Sequence, residues 1–333
     1  MKRQMTRHSF AAAVAVAAFS ASAAAAAECV FTNAAGGTFQ TAANWDTGVV
    51  PGAGDTARFT NNASYAVTFS ADAQNAAAAF DAPGGTVSLD AGGHAWSLSD
   101  SLTLGLAGGG GNAAAALAGG TLAVTNGGAA RLEIGAGTFA LRGAAATATV
   151  DRVVLTNVTD GIGNARLGLE YGALTTLAGA TVNTATNGAS TSGPNFGDFR
   201  VGPTNGSGRA MVWNVAGGTH LIYVPGKGGE PDPAFLIGGN APGLRGVVNV
   251  SGAGTVLSNY GGGRLSIGGA HNWGGGGIGG SGSNELNVAG GARVYNTGSM
   301  VLLGWGNNVG NRLTVSGAGS LLRAGLQNPP ERG

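Results

Sequence analysis

WNVAGGTHLIYV (213–224), VNVSGAGTVLSN (248–259), LNVAGGARVYNT (286–297) and LTVSGAGSLLRA (313–324) are one phrase written four times, and their reading decides the fold. The copies begin 35, 38 and 27 residues apart, so a block of constant pattern alternates with connections of variable length. That pattern belongs to a repetitive stack in which each repeat touches its neighbours, not to a duplicated globular domain.

Side chains alternate along a strand, which turns the likeness into faces. If Val215, Val250, Val288 and Val315 point inward, Trp213, Val248, Leu286 and Leu313 do too. Asn214, Asn249, Asn287 and Thr314 then form one outward column, and Val212, Val247, Glu285 and Arg312 a second. After each strand comes Gly217, Gly252, Gly290 or Gly317, a residue able to take the positive φ of a sharp corner. Leu221, Val256, Val294 and Leu321 are expected to open the next inward run. A second anchor precedes each copy: FRVG at Phe199, FLIGG at Phe235, LSIGG at Leu265 and VLLGW at Val301. Like residues recurring at matching positions fit stacked parallel strands better than hairpins, which announce themselves by paired turn residues. The Asn column could then form a hydrogen-bonded ladder.

Upstream the pattern is looser. From Asn61 to about Val182 short apolar runs such as AVTF at Ala66, LTLGL at Leu102, RLEIG at Arg131 and RVVL at Arg152 predict strands of four to six residues, with 108–116 as a loop. No segment carries helix caps with a 3.6-residue period. Before them, FQTAANWDTGVVPGAGDTARF (39–59) combines the apolar anchors Trp45 and Phe59 with Pro51-Gly52 and Gly54-Asp55 turn signals. An exposed sheet edge recruits other chains, and residues 28–60 are expected to cap it.

The first 27 residues read as an export signal. Lys2, Arg3 and Arg7 make a basic region, Phe10 to Phe19 an apolar one, and Ala25-Ala26-Ala27 a small-residue cleavage site. Removing the three cations takes the net charge from +1 to −2, which leaves no basic excess for nucleic acid. No transmembrane segment is expected in the mature chain. Cys29 is the only cysteine, so no intrachain disulfide exists. Glu28 before it argues against lipidation, and the thiol is expected near a frayed terminus.

Chemistry-bearing groups are sparse, with charged residues at 10%. His94, His220 and His271 are far apart, without metal-ligand spacing, and are expected to face solvent singly. GGGGIG (274–279) matches a dinucleotide fingerprint in letters but follows no strand and opens no helix. No metal, cofactor or catalytic residue is assigned. Glycan cleavage needs two carboxylates roughly 5–10 Å apart, which stacking could bring together from distant positions. Charges cluster in PGKGGEPDP (225–233), making Glu230 and Asp232 candidate ligand contacts, and Trp273 in a Gly-rich run is the candidate exposed indole. Trp213 belongs to an inward column and is expected in the core.

The block NWDTGVVPGAGDTARF, followed by repeats of the form LxIGG…LNVxGxGxV, resembles the passenger regions of secreted bacterial surface proteins with autotransporter-type β-strand repeats or PEP-CTERM sorting signals. The resemblance implies a right-handed parallel β-helix outside the cell and no catalytic residue. The ending LQNPPERG (326–333) carries neither a sorting helix nor a translocator barrel, so the chain is expected to be truncated or released. The reading is thus an all-β chain: signal peptide 1–27, N-terminal cap 28–60, and repeats 61–333, most regular over 199–324. It points to a non-enzymatic structural or adhesive protein of the bacterial exterior, with a polysaccharide-binding or polysaccharide-degrading protein as the alternative. Extracellular polysaccharide and other surface proteins are the candidate partners.

Overall fold

The computed structural model describes residues 26–82, 84–106, 113–135, 137–155, 165–183, 199–203, 208–224, 234–238, 243–268, 282–298, 300–304 and 309–325. Over these residues the chain is all-β. Twenty-two strands join one hydrogen-bonded system, and the only helical element is a 3-10 turn at Ala42–Asn44. No helix among the described residues is long and apolar enough to cross a membrane.

Every strand pairing is parallel, and each strand lies beside one from the preceding repeat. Three series result in the later part of the chain. Ala210–Ala216 pairs with Arg245–Ser251, that strand with Glu285–Ala289, and that with Arg312–Ser316. Thr219–Tyr223, Val256–Tyr260, Arg293–Asn296 and Leu321–Ala324 make the second series. Phe199–Val201, Ala234–Ile237, Arg264–Ile267 and Val301–Leu303 make the third.

The register within the first series is the one the four copies predict. Trp213, Val248, Leu286 and Leu313 are Cα partners in turn, as are Val215, Val250, Val288 and Val315, with Asn214, Asn249, Asn287 and Thr314 between them. The anchors Phe199, Phe235, Leu265 and Val301 also align. Buried apolar columns of this kind contribute about 1.5–3 kcal/mol per large side chain, which offsets the backbone entropy of a Gly-rich chain. One interior column of the second series runs the length of the described chain: Cys29, Ala57, Ala78, Leu102, Leu132, Val153, Ala180, His220, Leu257, Val294 and Leu322.

Several expectations need correction. The second inward run begins at Val294 as expected, but not at Leu221, Val256 and Leu321, because the corners differ in length and a one-residue change flips a strand's faces. The aligned interior residues are His220, Leu257, Val294 and Leu322, while Leu321 is exposed. Val247, assigned outward, is nonetheless buried; its register partner on the next strand is Glu285, which Arg245 bonds. Of the upstream strands, Tyr65–Thr68 and Arg131–Ile134 have the expected four residues, but Val87–Leu104, Gly137–Leu155 and Ala165–Asn183 run on through their corners. Bulges take up the bends, as the register shift between Leu117 and Thr121 illustrates. Residues 113–116, read as loop, begin the strand Ala113–Val124. Cys29 is not at a frayed end; it is buried in Glu28–Val30, which pairs with Thr56–Phe59, and burial pushes its thiol pKa up.

Residues 28–60 hold the first three strands, Glu28–Val30, Gly37–Thr38 and Thr56–Phe59. Trp45 packs edge-on against Phe31 and Phe39, with ring centroids 5.3 and 4.9 Å apart, and its indole N–H donates to the Phe39 carbonyl at 2.7 Å. Asp46 accepts the Val30 N–H at 2.7 Å and donates its own to the Val30 carbonyl at 2.9 Å. Asp55 accepts the N–H groups of Ala27 (2.9 Å) and Gly52 (2.8 Å), which hold its carboxyl below the usual range.

Candidate functional site

The outer face of the first series carries a continuous row of hydrogen-bonded polar side chains. Its central column continues upstream beyond the four copies, because Thr149 pairs with Thr175 and Thr175 with Asn214. A parallel ladder holds equivalent side chains about 4.8 Å apart, within reach of one another. The Asn287 amide donates to Asn249 Oδ1 at 3.0 Å, Asn249 to Asn214 Oδ1 at 2.9 Å, and Asn214 to Thr175 Oγ1 at 3.3 Å. The ladder therefore has a direction, every amide pointing its hydrogen toward the N-terminal end.

Beside it lies a carboxylate between two guanidinium groups. Glu285 stands in the second outward column between Val247 and Arg312. Its Oε1 receives Arg245 Nη2 at 2.7 Å and Arg312 Nη2 at 2.9 Å; its Oε2 receives the Asn287 amide at 3.1 Å. The Glu285 side chain is 13% exposed, against 44% for Arg245 and 64% for Arg312. The hydrogen bond from Asn287, reinforced by Arg312 and Arg245 and opposed by burial, holds the Glu285 carboxyl below its usual range. It thus stays ionised at neutral pH and is poorly suited to act as a general acid. Arg245 is held at its other edge by the Ser283 carbonyl, 2.9 Å from Nε.

Chemically, this face offers amide donors and acceptors at rung spacing, with two exposed cations sharing one anion. It suits a hydrogen-bonding polymer laid along the stack, and nothing in it forms a nucleophile with an adjacent base. Among the described residues no three His, Cys, Asp or Glu side chains converge as metal ligands would.

The sequence-derived candidates Trp273, Glu230 and Asp232 lie outside the described residues, as do His271 and residues 1–25. Trp213 is interior, as its column requires, and Trp96 is interior too, donating to Asn75 Oδ1 at 2.7 Å. His94 lies 3.5 Å from Asp72 at the surface. His220 departs from the solvent-facing expectation, because the shortened corner after Val215 turns it inward to full burial. There its Nε2 donates to the Gly217 carbonyl at 2.8 Å, and Nδ1 lies 3.3 Å from the Thr176 hydroxyl, itself a partner of the Trp213 indole at 3.2 Å. Burial lowers the His220 pKa, so the ring is neutral and its role is packing. The Arg245–Glu285–Arg312 cluster escapes sequence reading because Arg245 is 40 residues from Glu285; its one visible trace is the Glu285–Arg312 column. Comparison with protein-family models, curated proteins and solved structures returns no match.

Proposed function

We propose that this chain is a structural or adhesive protein of the bacterial exterior: a right-handed parallel β-helix, capped by residues 28–60, that acts as a rigid spacer and presents its connections. The observation that carries this reading is the unbroken parallel register, with apolar columns inside and amide or hydroxyl columns outside. Such a body gains its stability from neighbour-to-neighbour stacking and projects distance instead of enclosing a cleft. The basic and apolar run of residues 2–19 supports export. Protease shaving and antibody labelling of intact cells test the location. The protein should be labelled without permeabilisation, and a purely cytosolic signal would end the proposal.

The amide ladder favours a second reading, polysaccharide binding, because Asn and Arg groups in a row match the hydroxyls and carboxylates of an extended glycan. A glycan array with the wild type and Arg312→Ala decides this. Binding that weakens in the variant supports it; no binding to any neutral or acidic polymer retires it.

A further inference from the structure

We infer that a row of arginines beside the outer Asn ladder binds a uronic-acid polysaccharide laid along the stack. The inference rests on the polysaccharide reading of this face and names the class of polymer.

The row spans six consecutive strands of the first series, from Gly137–Leu155 to Arg312–Ser316. Arg142 is the Cα partner of Tyr171. Arg209 lies over the Tyr171 ring, its Cζ 5.5 Å from the centroid, a cation–π contact that fixes where this charge stands. Ala210, the next residue, is the partner of Arg245, and Arg245 meets Arg312 through Glu285.

Charge is layered along this row, with the acids inside and the cations outside. Glu170 lies 3.3 Å from Arg142 Nε and is 31% exposed, against 47% for its partner. Glu285 is likewise the more buried member of its cluster. An approaching polymer therefore meets guanidinium before carboxylate. The guanidinium groups also keep donors to spare. Among the described residues nothing accepts from Nη1 or Nη2 of Arg142, from Nη1 of Arg245, or from Nε and Nη1 of Arg312.

Three features select a uronate. Both acids show that these arginines pair with carboxylate, the group whose two oxygens match the guanidinium fork. The Asn287, Asn249 and Asn214 amides beside the row offer hydrogen-bond partners to sugar hydroxyls, so one ring can place a carboxylate on the row and hydroxyls on the ladder. Successive tiers are about 4.8 Å apart, close to the advance of one pyranose ring in an extended chain, so contacts can repeat in step.

Isothermal titration calorimetry of the full chain with oligomers of polygalacturonate, of its fully methyl-esterified form, of dextran and of dextran sulfate tests this. The esterified form keeps the backbone and loses the charge. Polygalacturonate should bind, more weakly as salt rises, and the esterified form and dextran should bind at least tenfold more weakly. Arg142→Gln and Arg312→Gln should each weaken polygalacturonate binding about tenfold, the loss of a charge-assisted hydrogen bond. Arg131→Gln removes the same charge from an exposed position in the second series and should change nothing. Equal binding of the charged and esterified forms keeps the polysaccharide reading and overturns the uronate class. Binding of dextran sulfate without polygalacturonate also overturns it, and no binding of any polymer ends both. An Arg131→Gln loss equal to that of Arg142→Gln marks attraction to net charge alone and overturns the site. Far-UV circular dichroism checks each fold, and if one row variant unfolds the other decides.

Discussion

At the residue scale, His220 and Gly217 show how a corner governs what its neighbours can be. The His220 ring is held neutral between the Gly217 carbonyl and the Thr176 hydroxyl, with its pKa depressed by burial. The unfolded chain, with an ordinary His pKa of about 6.5, therefore binds more protons in acid than the folded one. Stability is complete above that pH and falls as pH drops below it. His220→Leu places an apolar residue in a column already holding Leu132 and Leu257. Urea midpoints measured between neutral pH and pH 5 should show a smaller acid loss for this variant than for the wild type. Gly217 has φ 65°, and a Cβ there would collide with the Leu177 carbonyl. Since the left-handed conformation costs an L-residue about 1–2 kcal/mol before any clash, Gly217→Ala should lower the urea midpoint by at least that much. The glycine was legible in the sequence from its place after Val215. The burial of His220 was not, because it depends on a corner shorter than the corresponding ones, and pattern alone does not say where a shortened corner drops its missing residues.

At the element scale, two Asn ladders among the described residues have different consequences. The outer one, Asn214–Asn249–Asn287, is half-buried and can exchange its partners for water. The inner one is fully buried: the Asn259 amide donates to Asn296 Oδ1 (2.6 Å) and shares its hydrogens with the carbonyls of Gly263 (3.1 Å) and Arg264 (3.2 Å). It ties the second series to the corner that leads into the third. Asn259→Ala leaves those buried acceptors unsatisfied and should cost about 2–3 kcal/mol, whereas Asn249→Ala should cost about 1 kcal/mol or less. Chemical denaturation of the two variants side by side checks the order, and equal losses would contradict it. The outer ladder follows from aligning the copies without gaps. The inner one is hidden by that same alignment, which sets Asn259 opposite Thr297 and Asn296 opposite Ser258, whereas the folded register pairs Asn259 with Asn296.

At the scale of the whole molecule, stability should vary along the stack. Among the described residues, Arg245–Ser251 has a paired strand on both sides and Arg312–Ser316 on one. Val250→Ala opens a cavity between two tiers and should cost about 2 kcal/mol. Val315→Ala should cost less than half of that, its side chain being 44% exposed. Native-state hydrogen exchange should report the same gradient, with slow amides in Arg245–Ser251 and faster ones in Leu321–Ala324. Uniform protection along the chain would argue against stacking as the source of stability.

The sequence by itself determined the all-β class, the parallel pairing, the register of the first and third series and the identity of the corner glycines, because each follows from local periodicity repeated at matching positions. Only the tertiary structure decided the faces of the second series, the interior place of His220, the Asn259–Asn296 contact and the Arg245–Glu285–Arg312 cluster. These depend on how many residues each corner consumes and on which tier lies above or below. A parallel stack brings together residues some 20 to 40 apart, and a single residue more or less in a corner changes which of them meet.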